Sequence, residues 1–338
     1  MKRILIAGGA GFLGSHLCER LVGRGHAIVC VDNFLTGRRA NISHLLSHPR
    51  FRFVEHDITR PLSVSGRVDE IYNLACPASP PHYQRDPRYT VMVNVLGMAN
   101  LLDLAKLKKA RLLQASTSEV YGDPLNEEQV ESDWGNVNCT GPRACYDEGK
   151  RCAESLLFDA RRLYDQPVKV ARIFNTYGPR MDENDGRIIS NFITQGLNEQ
   201  PMTVYGDGSQ TRSFCYVDDM VDGLIRLMES PPNVTGPVNL GNPEELSVLR
   251  VAHRVAALLN IEPNIIFLPL PIDDPRRRRP NIARAQAVLG WKPTTPLDTG
   301  LACTIAYFRS SLIDEVGVLK APERGKVVSI EVARAARA

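Results

Sequence analysis

The chain has little of what would announce a metal or disulfide scaffold. Its 8 cysteines among 338 residues are scattered, with no C-x-x-C pair and no short repeated spacing. A disulfide framework is therefore not expected at this size, no metal site is, and reduced thiols are the default. Neither sign of charge dominates: 41 Lys and Arg stand against 38 Asp and Glu, well mixed along the chain. The net charge of +3 offers no electrostatic case for nucleic acid or an anionic membrane. No apolar stretch reads as long enough to span a bilayer, and no internal repeat is visible. The first residues, MKRILIAGG, run straight into a strand pattern and leave no room for a signal peptide, so a cytoplasmic setting is expected. On the same ground the N-x-S/T triplets at Asn41, Asn138 and Asn233 read as chance matches.

What is present is apolar material in a regular order. With 43% hydrophobic residues, the chain can bury a large core, enough for one main domain and a smaller lobe. Residues 3–7 form a short apolar run, Leu13, Leu17 and Leu21 repeat at helical spacing, Gly25 ends that helix, and AIVCVD reads as the next strand. Apolar runs recur at 51–54, 69–76, 111–115 and 168–174 with helical segments between several of them. This alternation predicts an α/β fold, a Rossmann-type doubly wound parallel sheet covered on both faces. Beyond about residue 176 the chain is richer in Gly, Pro and Arg. The expected division is a dinucleotide-binding domain over 1–175, to which later segments return, a mainly substrate-binding lobe over 176–310, and a polar tail over 311–338 with no assigned role.

Gly8, Gly11 and Gly14 follow the first strand and open a helix. The first glycine permits a tight turn, the second lets backbone approach a pyrophosphate, and the third allows close helix packing. The helix N-terminus then presents free N–H groups to the anion. Asp32, ending the second strand, is placed to accept hydrogen bonds from adenosine ribose hydroxyls and to repel a 2′-phosphate, which favours NAD over NADP. Arg38 and Arg39 follow closely and leave room for some tolerance of NADP. Asp57 and Ile58, just past the third strand run, are candidate adenine contacts.

Tyr146 and Lys150 stand at i, i+4, one above the other on a helix. A tyrosine is a poor base at neutral pH, and a nearby ammonium is expected to stabilise its phenolate and lower its pKa. Thr117, in the stretch STSEVYG, can exchange a proton with the same substrate oxygen. Together they form an acid/base unit for taking a hydroxyl to a carbonyl while hydride leaves for a nicotinamide. Such chemistry needs no carboxylate beside the hydroxyl, which leaves Glu119 to be explained.

The stretches GGAGFLGSHL, VDNFLTGR, LACPASPPHYQ, ASTSEVYGDP, GPRACYDEGKR, ARIFNTYGPRM, DGRIISNF, VYGDGSQTRSFCYVDD, VNLGNPEE and LPLPIDDPRRRRPNI span about residues 1–300. They resemble the extended short-chain dehydrogenases/reductases, more closely the nucleotide-sugar branch, and most closely the UDP-glucuronate decarboxylases, or UDP-xylose synthases. The glycine motif is shared widely, whereas PASPPHYQ, STSEVYGDP, YDEGKR and the arginine-rich DDPRRRRP are more specific to the decarboxylases.

The resemblance implies bound NAD and UDP-glucuronate as substrate. Oxidation at C4 creates a β-keto acid, carbon dioxide leaves, C5 is protonated and C4 is reduced again to give UDP-xylose. It implies catalytic roles for Thr117, Glu119, Tyr146, Lys150 and Arg278, with Glu119 acting near C5 and the carboxylate, as a proton relay or an electrostatic destabiliser; the alternative reading of Glu119 is a strand-end acid paired with an arginine. Arg278 would meet the carboxylate, Arg277 would serve the diphosphate or structure, and Arg212 would bind UDP. Arginine suits such anions through its planar fork. Ser118, Asn175, Asn191 and Tyr216 match positions that hold the UDP-sugar. Cofactor contacts fall on Gly8, Gly11, Phe12, Leu13, Gly14, Asp32, Asn33, Thr36, Gly37, Asp57, Ile58, Leu74, Ala75, Ala115, Thr176, Tyr146 and Lys150. Family relatives commonly dimerise through the Tyr-Lys helix and the one before it. Here Leu101, Leu102, Leu156 and Leu157 would serve that homodimer or simply the core. The chain departs from the family pattern where Asp86-Pro87-Arg88-Tyr89-Thr90 replaces Asn-Pro-x-Lys-Thr, at Asn281, and at Arg279.

Other readings share the fold. A nucleotide-hexose dehydratase would carry an aspartate at Ser118, and a 4-epimerase needs no glutamate at 119. A decarboxylase that releases the 4-ketone would keep the same residues. A non-enzymatic NAD-sensing protein could keep the glycines but would have no need of both Tyr146 and Lys150.

Overall fold

The computed structural model describes residues 1–270 and 277–320. Most of the expected tail, and residues 273–276 of the arginine-rich loop, lie outside the described residues. The helix Leu297–Lys320 runs into the start of that tail.

Strand β1, Arg3–Ala7, has four consecutive residues, Ile4 to Ala7, with no exposed surface. A strand apolar on every position must be covered on both faces. It pairs in parallel with β2 (Ala27–Asp32) on one side and, across a crossover, with β4 (Glu70–Asn73) on the other. Beyond them lie β3 (Phe51–Glu55), β5 (Arg111–Thr117), β6 (Val168–Ile173) and the returning strand Val238–Leu240. From one edge the order is β3-β2-β1-β4-β5-β6 and then Val238–Leu240, all parallel. The order reverses between β1 and β4. In such sheets the crevice at the carboxyl ends of the strands at that point is where ligands bind.

Helix α1 (Phe12–Gly23) and the helix Val217–Glu229 cover one face through Leu17, Leu21 and Leu224, and Trp291, from farther along the chain, packs into the same core. The other face is covered by α3 (Pro87–Lys108) and α4 (Ala144–Tyr164), which pack on each other, after a short helix α2 (Pro80–Arg85). The start of α3 follows from its sequence: the Asp86 carboxylate accepts from the Tyr89 N–H at 2.9 Å, Pro87 supplies the first helical residue, and Lys109 ends the helix in a left-handed conformation. Contrary to the expectation that nothing here could span a bilayer, α3 is long and apolar enough to do so by length and composition. Its apolar content has another use, since Val93, Met98, Leu101 and Leu104 are buried in the core beneath it. All eight cysteines are free.

The second lobe has its own core around Phe192, Val251 and Leu301. Within it, strand Thr211–Ser213 pairs with Glu245–Ser247 and, in parallel, with Arg277–Arg278. That register sets Arg278 beside Arg212, so two arginines far apart in sequence share one edge of the crevice.

Candidate active site

A cavity of about 580 Å³ opens at the β1/β4 switch point and runs toward the second lobe. One arm begins at the glycine turn. Gly8 adopts φ +75, and a Cβ there would lie 2.7 Å from the Ala75 nitrogen. A Cβ on Gly14 would lie 2.0 Å from the Gly8 carbonyl oxygen, so α1 sits directly against the turn. Gly11 precedes α1 and offers no side-chain cap, which leaves the first-turn N–H groups facing the cavity. The Asp32 carboxylate is held by the N–H groups of Ala10 at 2.9 Å and Phe34 at 2.8 Å. Burial pushes it up from the ordinary carboxylate range, and the backbone N–H bonds oppose that shift. These features fit a dinucleotide: an uncapped helix end for the pyrophosphate, bare backbone at the turn, and a carboxylate at the ribose position.

Phe12, Leu13, Asn33, Thr36, Ile58, Leu74, Ala75, Ala115 and Thr176 all line the same cavity. Gly37 packs on Asp32, where a Cβ would meet its Oδ1 at 2.7 Å. Asp57 is set back from the wall. Its carboxylate accepts from Thr59 N and Oγ1 and from the Tyr89 hydroxyl, and those bonds outweigh burial to hold it below the usual range. Tyr89, standing where the family pattern has lysine, also accepts from Asn33 Nδ2 at 2.9 Å. Arg38, considered above for a 2′-phosphate, pairs with Asp182 at 2.6 Å and Glu183 at 3.5 Å.

The other arm holds the charged groups. Thr117 ends β5, and its Oγ1 accepts the Glu119 N–H at 3.2 Å, which starts a short helical turn and aims the next side chains into the cavity. Glu119 Oε2 receives Arg143 Nη2 at 2.7 Å and Arg278 Nη2 at 2.9 Å. Arg278 is 2% exposed. Burial alone would raise the Glu119 carboxyl, but the guanidinia of Arg278 and Arg143 override it and hold it at about 2. Glu119 is therefore a fixed carboxylate. Arg143 is not among the residues the sequence singles out, although its place three residues before Tyr146, on the same face of one helix, is the available signal.

Tyr146 is buried, and its ring stacks on Tyr83 at 5.1 Å between centroids. The expected lowering of its pKa is reversed: burial pushes the hydroxyl well up, buried Cys76 adds to the shift, and the hydrogen bond with Thr117 opposes it. The Lys150 ammonium lies 5.8 Å from the Tyr146 ring centroid and donates to the Ala115 carbonyl at 2.9 Å. Its own pKa is lowered by burial.

Ser118, Asn175, Asn191 and Arg212 line the cavity beside these groups. Two matched positions do not. Tyr216 packs edge-on against Tyr177 at 5.6 Å in the second lobe, because the helix it precedes turns it into that core. Arg277 points the opposite way from Arg278 along its strand and pairs with Glu245 at 3.2 Å. Leu101 and Leu157 are fully buried in the core, while Leu102 and Leu156 are partly exposed.

With a doubly wound sheet, a glycine turn and a Thr-Tyr-Lys cluster in one cavity, the class is defined, and comparison with known proteins agrees. The chain belongs to the NAD dependent epimerase/dehydratase family, whose model matches residues 4–241. It is 53% identical over 311 residues to UDP-glucuronic acid decarboxylase 1 of Danio rerio, covering 92% of this chain and 73% of the relative. It is 52% identical over 311 residues to UDP-glucuronic acid decarboxylase 3 of Arabidopsis thaliana, covering 92% and 90%. Among solved structures, UDP-glucuronic acid 4-epimerase from Bacillus cereus in complex with UDP-glucuronic acid and NAD superposes with a TM-score of 0.82 at 28% identity, covering 91% of this chain and 99% of that one.

Proposed function

We propose that the chain is an NAD-dependent UDP-glucuronate decarboxylase that forms UDP-xylose. The observation that carries this reading is the joining, in one cavity, of a proton-transfer pair and an arginine cluster suited to a carboxylate: Tyr146 bonded to Thr117, two residues before Glu119 with Arg143 and Arg278. Relatives bearing the decarboxylase name, more than half identical over most of this chain, support it. NAD would be held at the glycine turn and Asp32, where it would supply the hydride acceptor for C4 and be regenerated over the cycle.

The protein's own groups do the rest. Tyr146 and Thr117 hold the C4 hydroxyl; Tyr146 first gives its own proton to solvent, and the resulting phenolate, its charge offset by the Lys150 cation, takes the hydroxyl proton. The resulting ketone stands β to the sugar carboxylate. Loss of carbon dioxide leaves the bond's electron pair as an enolate on O4, which the two hydroxyls stabilise by hydrogen bonds. Arg278 and Arg143 orient the carboxylate before it leaves. Glu119, fixed as an anion by those arginines, is a poor proton donor. It positions the guanidinia and disfavours a second carboxylate beside it, while the proton that C5 takes comes in net from solvent.

Incubation with UDP-glucuronate and NAD tests the reading. Carbon dioxide with UDP-xylose is the expected outcome. UDP-galacturonate without gas would make the protein a 4-epimerase. Gas with accumulating NADH and a 4-ketopentose would make it a decarboxylase that releases the ketone, and no turnover would overturn the assignment. The reading includes a homodimer built on the outward faces of α3 and α4, where Leu96, Leu107 and Leu163 are exposed; light scattering after size exclusion reads its mass.

A further inference from the structure

One carboxyl beside the arginine cluster has no part in the chemistry above. Asp147 follows Tyr146 on α4, is 7% exposed, and its Oδ1 is buried with no hydrogen-bond partner among the described residues. Its N–H donates to the Arg143 carbonyl at 3.1 Å, so the two side chains leave the same helical face one turn apart. A buried carboxyl oxygen without a donor is a costly arrangement for an anion, and much less so for a neutral acid.

The groups that act on Asp147 come from every side. Glu119 lies on the turn after β5, Arg143 at the start of α4, Arg278 on the second-lobe strand, Glu148 next in α4, and Tyr83 on α2. Burial first and the Glu119 charge second push Asp147 up to about 7; Arg143 and Arg278 oppose the shift, and Glu148 adds to it. The hydroxyl of Tyr83, the ring stacked on Tyr146, is likewise buried with no partner among the described residues. Glu119 already occupies the guanidinia as a carboxylate. An ionised Asp147 would be a second anion on the same patch, and the uronate group of the substrate a third.

Resting on the substrate reading above, we propose that Asp147 is a positioning residue for the substrate carboxylate: it carries a proton while the uronate is bound, and through the neighbouring Arg143 it sets how strongly the site accepts a further anion. The balance is a plain protonation. Asp147 gains one proton from solvent as the uronate enters and returns it when the negative charge leaves, with no bond made or broken elsewhere. Ionisation of Asp147 then weakens binding of a 6-carboxylate and leaves a 6-hydroxyl sugar unaffected.

The test uses the full chain carrying Tyr146→Phe, which holds substrate without turnover, with and without Asp147→Asn. Calorimetric titrations with UDP-glucuronate and with UDP-glucose run from about pH 6 to pH 8.5. Without the second change, the Kd for UDP-glucuronate is expected to rise roughly tenfold across that range, corresponding to coupling of about one pKa unit. With Asp147→Asn it is expected to change less than about twofold, and UDP-glucose should show no such difference between the two chains. Equal pH dependence in both chains would overturn the inference alone. Failure of UDP-glucuronate to bind at any pH would remove the substrate reading and this one together. Should Asp147→Asn fold poorly, proton uptake keeps the idea exposed. Near pH 7.5, titrations in two buffers of different ionisation heat must show more proton uptake with UDP-glucuronate than with UDP-glucose, and equal uptake would overturn it.

Discussion

Glu119 Oε2 and Arg278 Nη2 stand 2.9 Å apart, and the Arg143 guanidinium reaches the same oxygen at 2.7 Å. Of the three, Arg278 is the most deeply enclosed, so Glu119 supplies the charge that makes its burial tolerable. Removing one partner of such a pair leaves an uncompensated buried ion, at a cost of about 3–5 kcal/mol. Glu119→Ala should therefore lower stability by that amount at neutral pH, read by urea unfolding.

The same pair sets an acid limb. The Glu119 carboxyl sits at about 2 in the fold against an ordinary 4.5. Its contribution is fully present above about pH 4.5 and drains away as pH falls toward 2, roughly 3 kcal/mol in all. Stability measured between pH 5 and pH 2 should fall more steeply in the native chain than in Glu119→Gln. Parallel curves would show that the pair carries no such linkage.

Tyr146→Phe should remove turnover while keeping the fold. The ring stack on Tyr83, 5.1 Å and 9° between planes, needs no hydroxyl, so packing survives. The lost proton transfer is worth at least about 10²–10⁴ in kcat. Unfolding midpoint and UDP binding are expected to match the native chain. A variant that kept its rate would take Tyr146 out of the proton-transfer step.

What could be read in advance divides by range of interaction. The parallel sheet, the glycine turn and the Tyr146–Lys150 pair rest on spacings of a few residues, and such periodicities are visible in one chain. That Glu119 pairs with an arginine is among the readings of the sequence, but not which ones, since its partners lie 24 and 159 positions away: Arg143 meets it from the start of α4, and Arg278 through the register that puts it beside Arg212. The direction of the Tyr146 shift was misread for a related reason. A nearby ammonium can be named from i, i+4 spacing, but the burial that outweighs it is a property of the packed crevice. Tyr216 matches a motif position, but helix geometry turns it toward the second-lobe core, while Arg277, open to a diphosphate or a structural role, takes a structural ion pair with Glu245. Helix α3 was misjudged because a sheet-covering helix and a membrane span differ in what surrounds them more than in composition.

Two glycines of α1 make a controlled contrast. Gly14→Ala places a methyl group 2.0 Å from a backbone oxygen that has no room to move, so the turn must open. Weakened NAD binding in calorimetry and a lower Tm are expected together. Gly23→Ala, with nothing within 4 Å of the new Cβ, should instead stabilise the chain by about 0.5–1 kcal/mol through reduced freedom of the unfolded state, with NAD affinity unchanged. If Gly14→Ala bound NAD normally, the turn would not be the pyrophosphate cradle.

Lys150→Met separates the charge of Lys150 from its packing. The ammonium donates to the Ala115 carbonyl and is the nearest cation to the Tyr146 ring among the ring contacts of the cavity. Losing the donor removes one hydrogen bond from a carbonyl that still accepts from Gln114 Nε2 at 3.2 Å, and costs about 1 kcal/mol of stability. Losing the charge acts on Tyr146, whose hydroxyl burial already pushes up, so the phenolate becomes harder still to form. Turnover should fall, and the residual rate should keep climbing through the alkaline range in which the native chain has levelled off. A variant with reduced stability but the native pH profile would assign Lys150 to packing alone, because loss of the carbonyl contact by itself cannot move the pH at which the phenol gives up its proton.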